Sequence, residues 1–232
     1  MLIGGPNRWN PYTKLLCEKN MKLEFKRKTM KEARYISKAE SERWSIELSF
    51  NGGSEVGKGN PSNTDVKIRL LSKVNEQWLS SPWRLEWERS LGNIEMPTGA
   101  WNGIYLAEIV DNLLFFASSS SVTCISPETG KELWKVCTGN TPIYKILPSR
   151  NRDSVIIYNG YYGFENISGK GNIIKLNLEG ETIWRAELPS EKDIYANPPY
   201  YKGSDLYSDS WDCFQCKISE ENGAIIEKQF TK

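Results

Sequence analysis

Two cysteines near the C-terminal end have the spacing of a metal or redox motif, Cys213-Phe-Gln-Cys216. A zinc site would need further ligands from Cys17, Cys124, Cys137 or carboxylates, because the chain contains no histidine. A redox pair would need a helix N-terminus that lowers a thiol pKa, yet these residues predict a strand, on which a spacing of three puts the two side chains on opposite faces. We therefore expect small buried cysteines, with a metal or redox site as the alternative.

The absence of histidine narrows the chemistry of the whole chain. It excludes Ser-His-Asp and Cys-His nucleophiles, histidine metal ligands and histidine acid–base catalysis. Carboxylates remain, and a pair of them could hydrolyse sugars. Most of the available aspartates stand at predicted turns, where aspartate is favoured for its own hydrogen bonds: Asp111, Asp153, Asp205, Asp209 and Asp212. We expect no enzyme, no metal and no cofactor, with a carboxylate-based hydrolase as the alternative.

The segment Gly52-Gly-Ser-Glu-Val-Gly-Lys58 fits G-x-x-x-x-G-K, the pattern of a phosphate-binding loop. Such a loop also needs a serine or threonine next, for the magnesium ion, and a helix whose N-terminus faces the phosphates. Here Gly59 replaces the hydroxyl residue, and the following Asn-Pro-Ser-Asn run cannot open a long helix. The segment therefore predicts a flexible hairpin loop rather than a nucleotide site.

The charge of the chain is balanced in total and uneven along its length. The 232 residues carry a formal net charge of +1, which argues against a dedicated nucleic-acid binder, since such domains carry a clear basic excess. Residues 1–43 contain 11 Lys and Arg against 5 Glu, a net charge of +6, and the remainder carries −5. This asymmetry predicts a solvated basic face, with a contact to an anionic partner as the alternative.

Features that would place the chain in or across a membrane are missing from its sequence. The start has no basic region followed by an apolar run, and no apolar stretch approaches the length of a membrane span. Five cysteines at irregular spacing fit reduced thiols better than a disulfide framework. We expect a cytoplasmic protein. Either Met1 or Met21 is its translation start.

Alternating apolar and polar residues predict strands in the N-terminal part, at 21–26, 44–50, 66–71 and 83–91. Residues 30–42 contain good helix formers and predict a short surface helix. Further on, a four-strand order occurs three times: 104–109, 113–117, 122–125 and 132–137; then 143–147, 154–158, 172–177 and 181–188; then 193–196, 205–207, 214–218 and 224–230. Four short strands per 45–50 residues are the sequence form of a propeller blade.

The repeat is clearest at residues 121–136, and versions of it return at 171–186 and 213–228. Trp87, Trp134 and Trp184 lie 47 and 50 residues apart in the fourth strand of successive units, and Glu227 takes the equivalent place in the last one. A tryptophan can dock between adjacent sheets, and a glycine can close the preceding turn because positive φ does not strain it. The pattern predicts sheets that are joined in series by these aromatic rings.

The segment Ile125-Ser-Pro-Glu-Thr-Gly-Lys-Glu-Leu-Trp134 resembles the repeat of the PQQ-like (pyrroloquinoline-quinone-type) propellers, apolar-Asp-x-x-Thr-Gly-x-x-x-Trp. Thr129, Gly130 and Trp134 match, and Ser126 stands where the family has Asp. The second copy has Gly180 and Trp184 with a turn one residue shorter, and the third has Ile218 and Gly223 without the Trp. The resemblance covers about 104–230 and is specific for fold rather than function.

The resemblance implies an all-β chain that forms a partial or small β-propeller of four-stranded antiparallel blades. Residues 93–232 contain three PQQ-like blades. Residues 1–92 contain the basic start, the predicted short helix and a degenerate fourth blade. The result is either a small closed propeller or an open arc, and an open arc would need cover from the N-terminal segment, a second copy or a partner.

Aromatic residues in predicted loops form the candidate binding site. In a blade, the loops between the second and third strands emerge on the same face as the blade-to-blade loops. The strand register puts six residues there: Trp101, Tyr161, Tyr162, Phe164, Trp211 and Asp212. Aromatics in glycine- and serine-rich loops are typical of protein-binding surfaces. We expect them to contact a protein partner, with a role in capping the blade tops as the alternative.

The function that follows is a non-catalytic, protein-binding propeller. Short solitary proteins similar to PQQ-like repeats suit a bacterial role such as an immunity protein that neutralises a toxin. The second hypothesis is a scaffold or assembly adaptor, similar to the propeller used in outer-membrane assembly, which predicts export. PQQ-dependent dehydrogenase chemistry is not expected, because those enzymes have more blades and a dedicated cofactor cavity.

Overall fold

The computed structural model describes residues 33–40, 43–52, 64–73, 83–94, 106–118, 120–160 and 170–231. Within these ranges the protein is all-β, with four four-stranded antiparallel sheets. Each sheet contains four strands that follow one another in the chain and lie side by side in the same order. This is the arrangement of propeller blades, as the repeat pattern predicts. No helix among the described residues has the length and apolar character to cross a bilayer.

The strands divide evenly among the four blades. Blade 1 contains β1 (Ala33–Glu40), β2 (Trp44–Gly52), β3 (Thr64–Lys73) and β4 (Trp83–Ile94). Blade 2 contains β5 (Ala107–Val110), β6 (Leu113–Ser118), β7 (Ser121–Ile125) and β8 (Glu132–Cys137). Blade 3 contains β9 (Ile143–Pro148), β10 (Ser154–Asn159), β11 (Lys170–Asn177) and β12 (Thr182–Glu187). Blade 4 contains β13 (Tyr200–Lys202), β14 (Asp205–Asp209), β15 (Phe214–Ile218) and β16 (Ile225–Phe230).

The helix predicted over residues 30–42 is wrong where the structure describes this segment. Ala33–Glu40 is strand β1, and it pairs antiparallel with β2 from Ala33↔Gly52 to Glu40↔Ser45. Helix propensity differs among these residues by only a few tenths of a kcal/mol, so pairing along the whole edge of β2 outweighs it. The strand predicted at 21–26 lies outside the described residues.

A second prediction, a strand at residues 193–196, is also wrong. The first strand of blade 4 is Tyr200–Lys202, and residues 193–196 belong to the blade-to-blade connection. Tyr195 makes a single bridge to Ser210, and its ring is fully buried. Consecutive prolines at 198 and 199 end this stretch, because proline cannot donate to a ladder of hydrogen bonds.

Burial differs between the middle of the blade series and its end. Every residue of β10 in blade 3 is buried, as are the central residues of β6 and β7 in blade 2. These sheets therefore have apolar side chains on both faces, as sheets packed between two neighbours must. In β14 of blade 4, buried and partly exposed residues alternate. Only one face of blade 4 is packed against the rest of the described chain.

The predicted tryptophans join each blade to the next. The indole N–H of Trp87 in blade 1 donates to the Pro127 carbonyl in blade 2, with a nitrogen–oxygen distance of 2.8 Å. Equivalent bonds run from Trp134 to the Leu178 carbonyl at 2.8 Å and from Trp184 to the Glu220 carbonyl at 2.9 Å. All three carbonyls lie in the turn between the third and fourth strands of the following blade. The ring thus buries apolar area while its polar edge keeps a partner.

The glycines of the same turns leave room for these rings. Gly130, Gly180 and Gly223 have φ of 65°, 88° and 76°, values that strain a residue with a Cβ. A Cβ built at Gly180 would lie 2.8 Å from the Trp134 ring, and one at Gly223 would lie 2.9 Å from the Trp184 ring. Turn geometry and ring packing therefore both require glycine at the position that the repeat predicts.

Glu108 is an acidic side chain inside the junction between blades 2 and 3. Glu108 lies opposite Phe115, which lies opposite Cys124, which in turn lies opposite Trp134. Its side chain is therefore on the side of the sheet that carries Trp134. Its Oε1 accepts a hydrogen bond from the Ile109 N–H at 3.2 Å. Burial raises the pKa of Glu108 to about 7, against the lowering effects of that bond and of the Arg152 and Lys145 charges.

We predict that Gly180→Ala destabilises the protein by more than Gly203→Ala. Both glycines have positive φ, but a Cβ at Gly203 meets nothing within 4 Å. The Gly203→Ala variant therefore reports the cost of backbone strain alone, about 1–3 kcal/mol. At Gly180 the clash with Trp134 adds about 1–3 kcal/mol. Urea unfolding of both variants gives the comparison. Adding Trp134→Leu to each should shrink the difference, and equal costs at the two glycines would contradict the ring-packing account.

We also predict that Glu108 makes stability fall as pH rises from about 4.5 to about 7. In this window the folded state keeps a proton that the unfolded state has released, so folding is favoured below it and loses the contribution above it. The full change is about 3 kcal/mol. Glu108→Gln should flatten this slope in urea midpoints measured across the window, and the exposed Glu132→Gln should leave it unchanged. An unchanged slope in Glu108→Gln would show that other groups cause it.

Candidate protein-binding surface

The connections between the second and third strands and those between successive blades meet on one side of the sheets, which we call the loop face. In an antiparallel meander these connections all leave from the same strand ends. The described part of the loop face comprises 120, 138–142, 160, 188–199 and 210–213. The turns between first and second strands lie at the opposite ends of the strands. The prediction that these two sets of loops share a face is confirmed by their contacts.

Blades 2 and 3 are joined at the loop face by backbone and side-chain hydrogen bonds. Thr138, after β8, donates its N–H to the Ser120 carbonyl at 2.9 Å and its hydroxyl to the same oxygen at 3.0 Å. The Asn159 amide then donates to the Thr138 hydroxyl at 3.1 Å and to the Thr141 carbonyl at 2.9 Å. Because Asn159 is fully buried, these bonds replace the water that its amide would otherwise need.

Asn172 continues this network from blade 3 towards blade 4. Its amide donates to the Asn159 carbonyl at 2.8 Å and to the Tyr195 carbonyl at 3.0 Å. The Tyr195 hydroxyl donates to the Glu187 carbonyl at 2.7 Å, and burial raises its pKa. Tyr158 donates to the Tyr195 carbonyl as well, at 3.2 Å. The connection between the blades is therefore held from both sides by buried polar groups.

Trp211 stands on the loop face at the tip of a tight turn between β14 and β15. The Ser210 N–H donates to the Phe214 carbonyl at 2.7 Å, and the Phe214 N–H donates to the Ser210 hydroxyl at 3.1 Å. The Trp211 N–H donates to the Ile194 carbonyl at 2.9 Å. The residue is nevertheless 62% exposed. Its backbone is therefore fixed in position while a large part of the indole faces solvent.

Asp212 is exposed beside Trp211 and is positioned by a second aspartate. One carboxylate oxygen of Asp193 accepts hydrogen bonds from the Asp212 N–H at 3.1 Å and from the Ile194 N–H at 2.8 Å. Asp193 is buried, so this carboxylate ties the Trp211 turn to the connection between blades 3 and 4. It is a structural aspartate that the sequence interpretation did not single out.

The other candidate residues, Trp101, Tyr161, Tyr162 and Phe164, lie outside the described part of the chain. The strands that flank three of them end at Asn159 and begin at Lys170. Before this segment, the Gly160 N–H donates to the Pro142 carbonyl at 2.7 Å, and a Cβ at Gly160 would lie 2.3 Å from the Tyr144 ring. The point where the segment leaves blade 3 is therefore closely packed.

The two cysteines of the Cys-Phe-Gln-Cys motif differ in exposure, contrary to the prediction. Cys213 precedes β15 rather than lying on it, has a φ of 65° and is exposed, whereas Cys216 is buried in the strand. The expectation that both are buried is wrong for Cys213, because the tight turn places it outside the sheet. Burial raises the pKa of Cys216 to about 11 and that of Cys124 to about 12. These two thiols remain protonated and unreactive at neutral pH.

The candidate carboxylates are divided between the two sides of the sheets. Asp111, Asp153 and Asp205 lie at turns between first and second strands, whereas Asp209 and Asp212 lie near the loop face. Asp153 accepts hydrogen bonds from the Ser149 and Ser154 hydroxyls at 2.8 and 2.7 Å, which lower its pKa. Asp205 pairs with Lys217 at 2.8 Å. Among the described residues, no three Cys, Asp or Glu side chains lie together as metal ligands.

The phosphate-loop pattern lies mostly outside the described residues, which resume at Thr64 after Gly52. The flanking strands β2 and β3 pair antiparallel, with Asn51 opposite Asp65. They are thus the two arms of one hairpin.

Comparison with known proteins adds two similarities. Residues 150–230, which span most of blade 3 and blade 4, match the model of a family described as Domain of unknown function (DUF7957). Among solved structures, the chain is similar to BamB from Moraxella catarrhalis, with 14% sequence identity, a TM-score of 0.47 and coverage of 84% of this chain and 48% of that one. The chain thus spans about half the length of that protein. No curated protein matches the sequence.

Asn159 and Asn172 are the residues of this surface that the sequence interpretation missed. The signal available was weak: each asparagine stands at a predicted strand boundary beside the longest predicted loop. Asparagine is common at such positions for local turn reasons. Its partners here lie 13 to 23 residues away for Asn172, so only the folded structure brings them together.

We predict that Asn172→Leu destabilises the protein by about 2 kcal/mol, because it removes the side-chain donor of the Asn159 carbonyl and leaves the Tyr195 carbonyl with only the Tyr158 hydroxyl. Chemical unfolding gives the free energy. Gln229→Leu, an exposed change of similar chemistry on β16, is the control and should alter stability by less than about 0.5 kcal/mol. Equal effects of the two substitutions would show that the amide of Asn172 contributes little to holding the blade junction.

Proposed function

We propose that this chain is a non-catalytic protein-binding propeller whose loop face holds a protein partner. The observation that carries the proposal is Trp211, which is 62% exposed on a turn whose backbone is hydrogen-bonded to the neighbouring connection. Tryptophan on a preorganised turn offers large contact area and loses little conformational entropy on binding. Exposed Asp212 beside it adds a polar contact at the rim.

The same surface would include Trp101, Tyr161, Tyr162 and Phe164. Their chain positions fall in or beside connections that belong to the loop face, by the strand order of blades 2 and 3. Spread along this face, these aromatics and Trp211 would form a surface of several anchors. Such clustering of aromatic anchors is what distinguishes binding hot spots from scattered exposed residues.

In its specific form, the proposal is a cytoplasmic bacterial immunity protein that neutralises a toxin. The reduced, buried thiols of Cys124 and Cys216 suit a reducing compartment. A rigid surface that needs no cofactor suits a protein that inhibits by occupying another protein. A scaffold or assembly adaptor is the alternative form of the same binding activity, and it would contact several partners rather than one.

The test is a pull-down of the tagged full chain from its source, compared with Trp211→Ala and Ile226→Ala. Ile226 is also 62% exposed, on the outer strand β16, and is a matched control for loss of apolar area. We expect one stoichiometric partner that Trp211→Ala weakens about 30-fold or more, the effect of losing a hot-spot residue, and that Ile226→Ala retains. Retention of the partner by Trp211→Ala would contradict the proposed surface.

The same partner then distinguishes the two forms of the proposal. An immunity protein should bind it in a one-to-one complex, and should rescue cells in which the partner is expressed. Recovery of several assemblies without such rescue would favour the scaffold. A catalytic role would instead predict turnover that one aspartate substitution abolishes while the unfolding midpoint stays the same.

A further inference from the structure

The last sheet has a face that the described chain does not cover. Tyr207 on β14 lies opposite Lys217 on β15, and Lys217 lies opposite Glu227 on β16. These side chains point away from blade 3, because Leu206, Cys216 and Ile218 pack towards it in the same strands. We call the outward side the end face.

The end face lacks the tryptophan with which each of the other three blades docks the next one. The positions equivalent to Tyr207, Lys217 and Glu227 are Ile46, Leu70 and Trp87 in blade 1, Phe115, Cys124 and Trp134 in blade 2, and Ile156, Lys175 and Trp184 in blade 3. Glu227 therefore stands where the ring that joins successive blades would be. Lys175 shows that a lysine is compatible with docking at the middle position, whereas a glutamate cannot replace the indole bond or its apolar area.

Aromatic and charged groups of the end face already interact with one another. The Tyr200 and Tyr207 rings stack with centroids 6.1 Å apart, and the Lys202 ammonium lies 5.8 Å from the centre of Tyr207. Both tyrosines and Lys217 are partly exposed. Stacked tyrosines with accessible faces bind lysine and arginine side chains well.

Two carboxylates of this region, Asp209 and Glu227, form no close ion pair in the described part of the chain. Asp209 accepts only from neutral amides, Gln215 at 3.4 Å and Asn197 at 3.5 Å, and its burial raises its pKa. Glu227 lies opposite Lys217, whose ammonium pairs with Asp205 at 2.8 Å and interacts with Glu227 at longer range. At the other end of the series, the Glu86 and Glu88 carboxylates of blade 1 are each paired with an arginine. On this side of blade 4 the three carboxylates Asp205, Asp209 and Glu227 thus outnumber the two lysines, Lys202 and Lys217.

The part of the chain that forms blade 4 and its connections is also negatively charged in total. Residues 193–231 contain 7 Asp and Glu against 3 Lys, a net charge of −4. Residues 1–32 contain 8 Lys and Arg against 3 Glu, a net charge of +5, together with Trp9, Tyr12 and Phe25. Opposite charges of this size within one chain attract at close range and are screened by salt.

We propose that the basic segment 1–32 of this same chain lies across the end face of blade 4. Its lysines and arginines neutralise Asp209 and Glu227 and rest on the Tyr200 and Tyr207 rings, and its aromatic residues cover the remaining apolar area. The segment precedes β1 directly, and 32 extended residues span up to about 100 Å, enough to reach blade 4. It would tie the first blade to the last without adding another blade.

Limited trypsin digestion of the full chain tests this placement, because the segment is rich in cleavage sites. The readout is the cleavage rate at sites within residues 1–32, followed by mass spectrometry, relative to the synthetic peptide 1–32. We expect the segment in the protein to be cut about 10-fold more slowly than the peptide, since docking removes it from the protease. Added salt should remove much of this protection.

The paired variant Asp209→Asn with Glu227→Gln should restore most of the fast cleavage, because it removes both charges without adding a trypsin site. Glu132→Gln with Glu179→Gln changes two exposed carboxylates of blades 2 and 3 and should leave the protection intact. Unfolding midpoints verify that all variants fold. Cleavage of the wild-type segment at the peptide rate, or equal protection in both paired variants, would overturn the proposal.

Protein concentration separates the same chain from a second copy as the source of the segment. Contact within one chain gives protection that is constant over about a hundredfold range of concentration, whereas contact between two copies gives protection that rises with concentration. A rise would overturn the placement in the same chain and assign the end face to a dimer.

Discussion

The bond between a tryptophan indole and a turn carbonyl of the next blade is the interaction on which the rest of this structure depends. A four-stranded sheet cannot stand alone with apolar side chains on both faces, and the middle sheets here have them. The ring fills the gap between two sheets, and its N–H keeps a hydrogen-bond partner in a turn carbonyl of the next blade. Three such bonds, of 2.8 to 2.9 Å, link the four blades in sequence order.

The interaction also explains which residues the turns require. Glycine is required at positions 180 and 223 for two reasons. Each residue has positive φ, and each lies against a tryptophan ring. The turn of the third blade is one residue shorter than that of the second, yet its carbonyl reaches the Trp134 N–H at the same 2.8 Å. The constraint therefore acts on the position of the carbonyl and the glycine, and the chain between them is free to vary.

Sequence reasoning succeeded where the determinant is local and periodic. Trp134 and Gly180 belong to a repeat that shows in the sequence, so the blades and their order follow from it. It failed at β1, because weak helix propensity gave no hint that residues 33–40 pair with β2. It failed again at Tyr195, whose ring is buried by contacts with distant residues, although isoleucine, tyrosine and alanine in this stretch resemble a strand.

The candidate binding surface was also predicted in part from the sequence. The strand register was enough to place Trp211 on the loop face, since it depends only on which strand ends meet. What holds that turn in place was beyond prediction from the sequence, because the Asp193 carboxylate and the Ile194 carbonyl come from a connection about 20 residues earlier that was interpreted as a strand. A correct strand order can therefore locate a binding loop while the buried polar groups that make it rigid stay hidden. This rigidity allows an exposed indole to act as a binding anchor. A ring on a mobile loop would lose conformational entropy on binding, and this loss would offset much of the free energy gained from its contact area.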